Sequence, residues 1–253
     1  MSKRFWKTIL VLSLLGHLGA FYVFPKYQGY AENRDSFTVR YDSLLQDFGG
    51  REFYDSDNEQ LVAAGPEKPR IVLIGSEFAL NWDLDQRLPG YQVINRGVDK
   101  QRVAGMLDRF RPDVIDLEPE TVLIGVSAYN FRPWSSIAEI LDYVACMTEL
   151  AQINGIRPVL VNTTPPTEVC HLEEYSKWIV KDSLAEFNDR LEEYARTEEI
   201  LCLDFYSLVT GELGFLKADY AASQTDLNDS GYALVTAMLE KQLRQNEKPK
   251  VNR

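Results

Sequence analysis

The run Ile71-Val72-Leu73-Ile74-Gly75-Ser76-Glu77 constrains this chain more than any other stretch. Four aliphatic residues, three of them β-branched, end in a glycine and a small polar residue. Such a run reads as a strand buried on both faces that delivers its C-terminal end to a crevice. The pattern then alternates. Further strands are expected at Tyr91–Asn95, Thr121–Val126, Pro158–Asn162 and Ile200–Asp204. Between them lie helical patterns: 101–110, with Val103, Met106, Leu107 and Phe110 on one face, then Ser136 to Asn154, Glu173 to Arg196, and 229–245. Ser136 and Glu139 have capping-box spacing, and Gly155 stands where a helix would end. Alternation of this kind predicts a three-layer α/β/α sandwich around a central parallel sheet, flavodoxin-like in plan.

The N-terminus has a different character. Lys3, Arg4 and Lys7 precede an apolar segment from Ile9 to Phe24, which predicts one transmembrane helix acting as an uncleaved signal anchor over residues 1–25. The remainder is then expected outside the cytoplasm, periplasmic or extracellular, on a single-pass protein. Residues 26–69, with the acidic stretch Asp55–Glu59, read as a juxtamembrane tether containing a short helix that packs on the domain or on a neighbouring protein. The domain is expected over 70–245 and a tail over 246–253. The formal charge of -11 argues against a nucleic-acid partner. Cys146, Cys170 and Cys202 have no metal-ligand spacing, so no metal or other cofactor is expected, and an extracytoplasmic domain leaves room for one disulfide.

Five stretches in order carry a resemblance. Trp82 stands seven residues after Gly75. Pro89–Gly97 is followed by Ala104–Arg109, Leu123-Ile124-Gly125 ends a strand, Phe187–Tyr194 and Leu203–Ser207 come next, and Leu227–Tyr232 comes late. Together they resemble the blocks of the SGNH (GDSL-type) hydrolases, in particular members similar to platelet-activating-factor acetylhydrolase subunits, over Arg70 to about Gln242. In that family a serine attacks an acyl carbonyl, a histidine three residues after an aspartate takes its proton, and a glycine amide with an asparagine holds the oxyanion. Carried over by position, the serine is Glu77, the glycine is Lys100, the asparagine is Ser127, and the aspartate and histidine are Ser223 and Asp226. The resemblance therefore implies the fold without the catalytic set.

A carboxylate at Glu77 would stand where the oxyanion must develop and would oppose it. Asp226, with a reference pKa of about 3.9, is a poor base at neutral pH. The first reading is a pseudoenzyme with a binding or structural role in a cell-envelope assembly. Its partner would be an envelope protein or a glycan, and its crevice would hold Glu77, Asp99, Lys100, Ser127, Asp226 and Trp134. A plug of ion pairs among Glu77, Lys100 and Asp226 is its bland form. An alternative is an ester hydrolase or O-acyltransferase on envelope polysaccharide or lipid, working through relocated Ser76 and His171. A third pairs Glu77 with Asp226 or Asp99 in the manner of glycosidases. The tryptophans Trp82 and Trp178 are expected to be packing.

Overall fold

The computed structural model describes residues 47–131, 135–169 and 177–246. Five aliphatic runs form the strands β1 (Arg70–Gly75), β2 (Gln92–Gly97), β3 (Thr121–Gly125), β4 (Arg157–Val161) and β5 (Leu201–Leu203). They make one sheet in the order β2-β1-β3-β4-β5, parallel throughout. β1 and β3 are buried along their whole length because helices cover both faces.

Alternate residues serve opposite layers. Val72, Ile74, Val122, Ile124 and Leu160 join a core with Phe110, Met147, Leu184 and Phe187. Ile71, Leu73, Leu123, Val159 and Val161 face the second core, with Trp82, Phe205, Val235 and Leu239. Trp82 is 1% exposed and its Nε1 donates to Thr236 Oγ1 at 2.9 Å, so it is packing, as expected from sequence.

The helices follow the pattern with two changes. Ser136 caps the helix Ile137–Ile153 by accepting from Glu139 N, and Gly155 leaves it at φ 74. The helix read over 101–110 is instead two short pieces, Val103–Asp108 and Phe110–Asp113, hinged at Arg109. Arg109 is 0% exposed, and three polar groups hold its guanidinium. It pairs with Asp113, donates through Nε to Gln101 Oε1 at 2.8 Å, and through Nη2 to Arg96 O at 2.5 Å. Burial pulls the Arg109 guanidinium below its ordinary range, with Asp113 acting against the shift.

The second change concerns the expected tether. Among the described residues, those from Gly49 onward pack as one unit with the sheet. A 3-10 turn, Arg51–Tyr54, leads into α1 (Asp55–Ala64). Within α1, Asn58 is 6% exposed, donates to Asp113 Oδ1 at 2.7 Å and accepts from Arg96 Nε and Nη2 at 3.0 and 2.7 Å. Asp57 pairs with Arg96 at 2.6 Å, and Arg70 Nη2 donates to Leu61 O at 2.8 Å. The acidic stretch supplies partners for buried guanidinium groups, which is why it is ordered.

Cys146 is an exposed free thiol and Cys202 a second free one, its pKa pushed up to about 12 by burial, with Glu192 and Asp204 adding to the shift. Cys170 lies outside the described residues, as do the expected anchor over 1–25 and most of the expected tail. Among the described residues no helix is long and apolar enough to cross a membrane.

Asn58→Ala leaves Arg96 and Asp113 short of partners in a dry interior. It should lower unfolding free energy by about 3 kcal/mol in urea titration with the m-value unchanged. A loss typical of a surface asparagine, about 0.5 kcal/mol or less, would show that α1 is only lightly attached.

Candidate functional site

The C-terminal ends of β1, β3 and β4 converge with the loop after β2 and the turn before the last helix, Asp229–Asn246, on one edge of the sheet. Ligands of open α/β sheets bind on this side. Most of the predicted positions can be located there.

Ser76 directly follows β1 and is 0% exposed. Glu77 is the first residue of α2 (Glu77–Leu80), and its side chain lies outside the described residues. Next comes Phe78, whose ring lies over the end of β3. A Cβ on Gly125 would stand 2.2 Å from Phe78 Cε1, so only a glycine there admits the ring. Phe78 also packs against Trp82 at 5.8 Å between ring centroids, and its carbonyl accepts from Tyr232 Oη at 3.0 Å.

Lys100 follows β2 with φ 54, the left-handed region that favours glycine. Its Nζ is 3.4 Å from Asp99 Oδ2 and 6.0 Å from the centre of the Tyr129 ring. Both charged side chains are more than half exposed, so this ion pair contributes little stability. At the loop's other end Gln101 is buried and donates to Gly49 O at 2.7 Å.

Ser127 lies after β3, directly before the short turn Ala128–Asn130, and its side chain makes no capping bond to it. It is 8% exposed, and among the described residues its Oγ has no hydrogen-bond partner. Asn130 fixes the turn by accepting from Val103 N at 2.9 Å and donating to Ser127 O at 3.3 Å. After β4, Thr163 donates to Val126 O at 2.8 Å and exchanges two hydrogen bonds with Asn188. Sequence reading placed Asn188 only in a family-like helix; its hold on this loop is a contact over 25 residues with no periodic signature.

Ser223 and Asp226 form a compact turn. Ser223 Oγ donates to Asp226 Oδ2 at 2.6 Å and accepts from Asp226 N at 3.1 Å. A carboxylate thus accepts a hydrogen bond from a hydroxyl where the family resemblance places an imidazole paired with a carboxylate. Nearby Asp204 caps α7 (Phe205–Val209). Burial pushes its carboxyl up, but hydrogen bonds from Ser207 and Asn162 outweigh this and hold it below the usual carboxylate range.

These strand ends enclose a cavity of about 20 Å³ lined by Phe78, Ser127, Tyr129, Thr163, Thr164 and Asp226 among others. That volume accommodates about one water molecule. The structure therefore brings Ser127 and Asp226 onto one cavity, with Ser223 bonded to Asp226 and Lys100 beside Tyr129. Lys100 pairs with Asp99, and Asp226 accepts from Ser223. Trp134 and His171 lie outside the described residues. What sequence reasoning missed is Phe78, since a ring next to a nucleophile position carries no sign of which way it folds.

A model of the GDSL-like lipase/acylhydrolase family matches residues 35–234, starting well before Arg70. Three solved structures share the fold. A Bacteroides fragilis protein described as an acylhydrolase is 24% identical over 80% of this chain and 99% of its own, with a TM-score of 0.68. A GDSL-like lipase from Bacteroides thetaiotaomicron is 23% identical over 79% and 99%, at 0.67. A Streptococcus pneumoniae protein described as a platelet activating factor is 18% identical over 82% and 98%, at 0.65. No curated protein matches.

The left-handed backbone at Lys100 gives a direct test. Strain of about 1–2 kcal/mol for a non-glycine residue exceeds the roughly 0.5–1 kcal/mol that glycine's unfolded-state entropy takes back. Lys100→Gly should therefore stabilise the protein by about 0.5–1 kcal/mol in chemical denaturation. A destabilised variant would mean that the lysine side chain matters more than the turn it occupies.

Proposed function

We propose that this chain, which belongs to the GDSL-like lipase/acylhydrolase family, is a binding or structural protein that has given up hydrolysis. It is held to a membrane by residues 1–25, with its α/β domain on the extracytoplasmic side, as a component of a cell-envelope assembly. The observation that carries this reading is the cavity of about 20 Å³ at the strand ends. Room for about one water leaves none for an acyl carbonyl and its leaving group.

The side chains present support the same conclusion. An acyl transfer needs a nucleophile, a base whose pKa lies near the working pH, and donors aimed at the developing oxyanion. Glu77 stands at the nucleophile's place in the chain, and a carboxylate there opposes the charge that must form. The hydroxyl of Ser76, one residue earlier, is buried. Asp226 is bonded to Ser223 and brings no imidazole. Ser127 offers a hydroxyl in place of a carboxamide, and the backbone at Lys100 keeps a glycine-like turn beneath a long cationic side chain. A retained scaffold with its crevice closed suits a surface that other molecules dock on. An envelope protein or a glycan is the partner class, and the acidic surface disfavours nucleic acid.

The full chain should show no labelling by a fluorophosphonate probe and no hydrolysis of p-nitrophenyl acetate above buffer. Glu77→Ser should stay equally silent, because a serine without its base loses on the order of 10⁶ in turnover. Labelling that vanishes in Ser76→Ala or His171→Ala would overturn the proposal and identify a working esterase. Membrane fractions washed with alkaline carbonate should retain the full chain and release one that begins at residue 32.

A further inference from the structure

The loop from Gly97 to Gln101 carries Lys100 to the crevice, and its two ends are held by a segment far away in sequence. Tyr54 Oη donates to Gly97 O at 2.5 Å, and Gln101 Nε2 donates to Gly49 O at 2.7 Å. The Tyr54 ring is itself fixed, with the Arg96 guanidinium 4.5 Å and the Arg109 guanidinium 5.9 Å from its centre. Asp57 and Asn58 take the remaining valences of Arg96. Two backbone bonds hold the loop besides these, both longer: Val98 N donates to Gly75 O at 3.1 Å and Gln101 N to Val98 O at 3.2 Å.

The geometry points to residues 49–58 as a latch on the crevice loop, with Tyr54 and Gln101 as the positioning residues that hold Lys100 in its left-handed turn beside Tyr129. The argument is one of constraint. A strained residue persists only where its surroundings over-determine it. Here Lys100 lies between two points that are both fixed to the same short stretch of chain. When residues 49–54 lift, the carbonyl of Gly97 and the side chain of Gln101 lose these partners together. The loop can then lengthen, Lys100 relaxes to negative φ, and its ammonium leaves the Tyr129 ring.

Anything that engages the chain just before Gly49 thereby alters the crevice without a domain motion. This coupling does not depend on what the crevice binds or on whether it is catalytic. A disulfide or a large packed helix would make such a segment permanent; hydrogen bonds and one half-exposed carboxylate, Asp57, leave it reversible.

Lys100 and Arg102 are exposed, so the loop reports its own opening to trypsin. In the full chain, Tyr54→Phe keeps the ring between its two guanidinium groups and removes only the hydroxyl. Cleavage after Lys100 and Arg102 should then accelerate on the order of tenfold, while cleavage after Arg190 and Lys241 keeps its wild-type rate. An unchanged rate at Lys100 overturns the latch. Equal acceleration at all four sites also overturns it, because that is the signature of a general loss of stability. The unmutated full chain supplies a second reading by native-state hydrogen exchange. Amides of 98–102 should open together with those of 51–54, with one free energy, below that of β3. Opening of the two stretches at separate free energies would show that neither controls the other.

Discussion

A buried guanidinium leaves a protein little choice about its surroundings. Arg109 has no exposed surface, and a charge in that position must be matched by an opposite charge and by acceptors for its donors. Asp113, also fully buried, supplies the first. Gln101 and the carbonyl of Arg96 supply the second. Arg96 is a second cation in the same region, and its carboxylate partner, Asp57, comes from the segment before the sheet. Two cations with one buried carboxylate would be unbalanced, and the fourth charge brings the N-terminal segment into the fold. Arg109 and Asp113 keep i,i+4 spacing, so they meet within the core across the break at Arg109.

This explains what could and could not be read from the sequence. Runs such as Ile71–Ile74 and Thr121–Val126 announce strands because burial on both faces demands continuous apolar residues. The parallel order, the two layers and the Ser136 cap came through for the same kind of local reason. The region around Asp55–Glu59 misleads because its role is polar and long-range. Asn58 meets Asp113 across 55 residues and Arg96 across 38, and no periodicity encodes such meetings. At the crevice the register of the family-like blocks was enough to bring Ser127 and Asp226 to one cavity and to set Ser223 beside Asp226. It was not enough to show the closure. That depends on which way one ring, Phe78, folds, and on Gly125 leaving space beneath it.

The strand ends are held by hydrogen bonds that lie outside the positions the family resemblance gives to catalysis. Asn130, Thr163 and Asn188 tie the loops after β3 and β4 to neighbouring elements through hydrogen bonds that take no part in acyl transfer. Such bonds keep their value when the nucleophile is lost, because they stabilise the native state whether or not a substrate arrives. The catalytic positions, by contrast, are free to take residues that pair with their immediate neighbours, as Asp226 does with Ser223 and Lys100 with Asp99.

Lys100 adds a point about main-chain shape. A lysine at φ 54 has no reason of its own to be there. The family resemblance places a glycine at this position, and the torsion is one that glycine adopts without strain. Bulky residues that hold a glycine-like torsion can be searched for from the main chain alone, without knowing what the site binds.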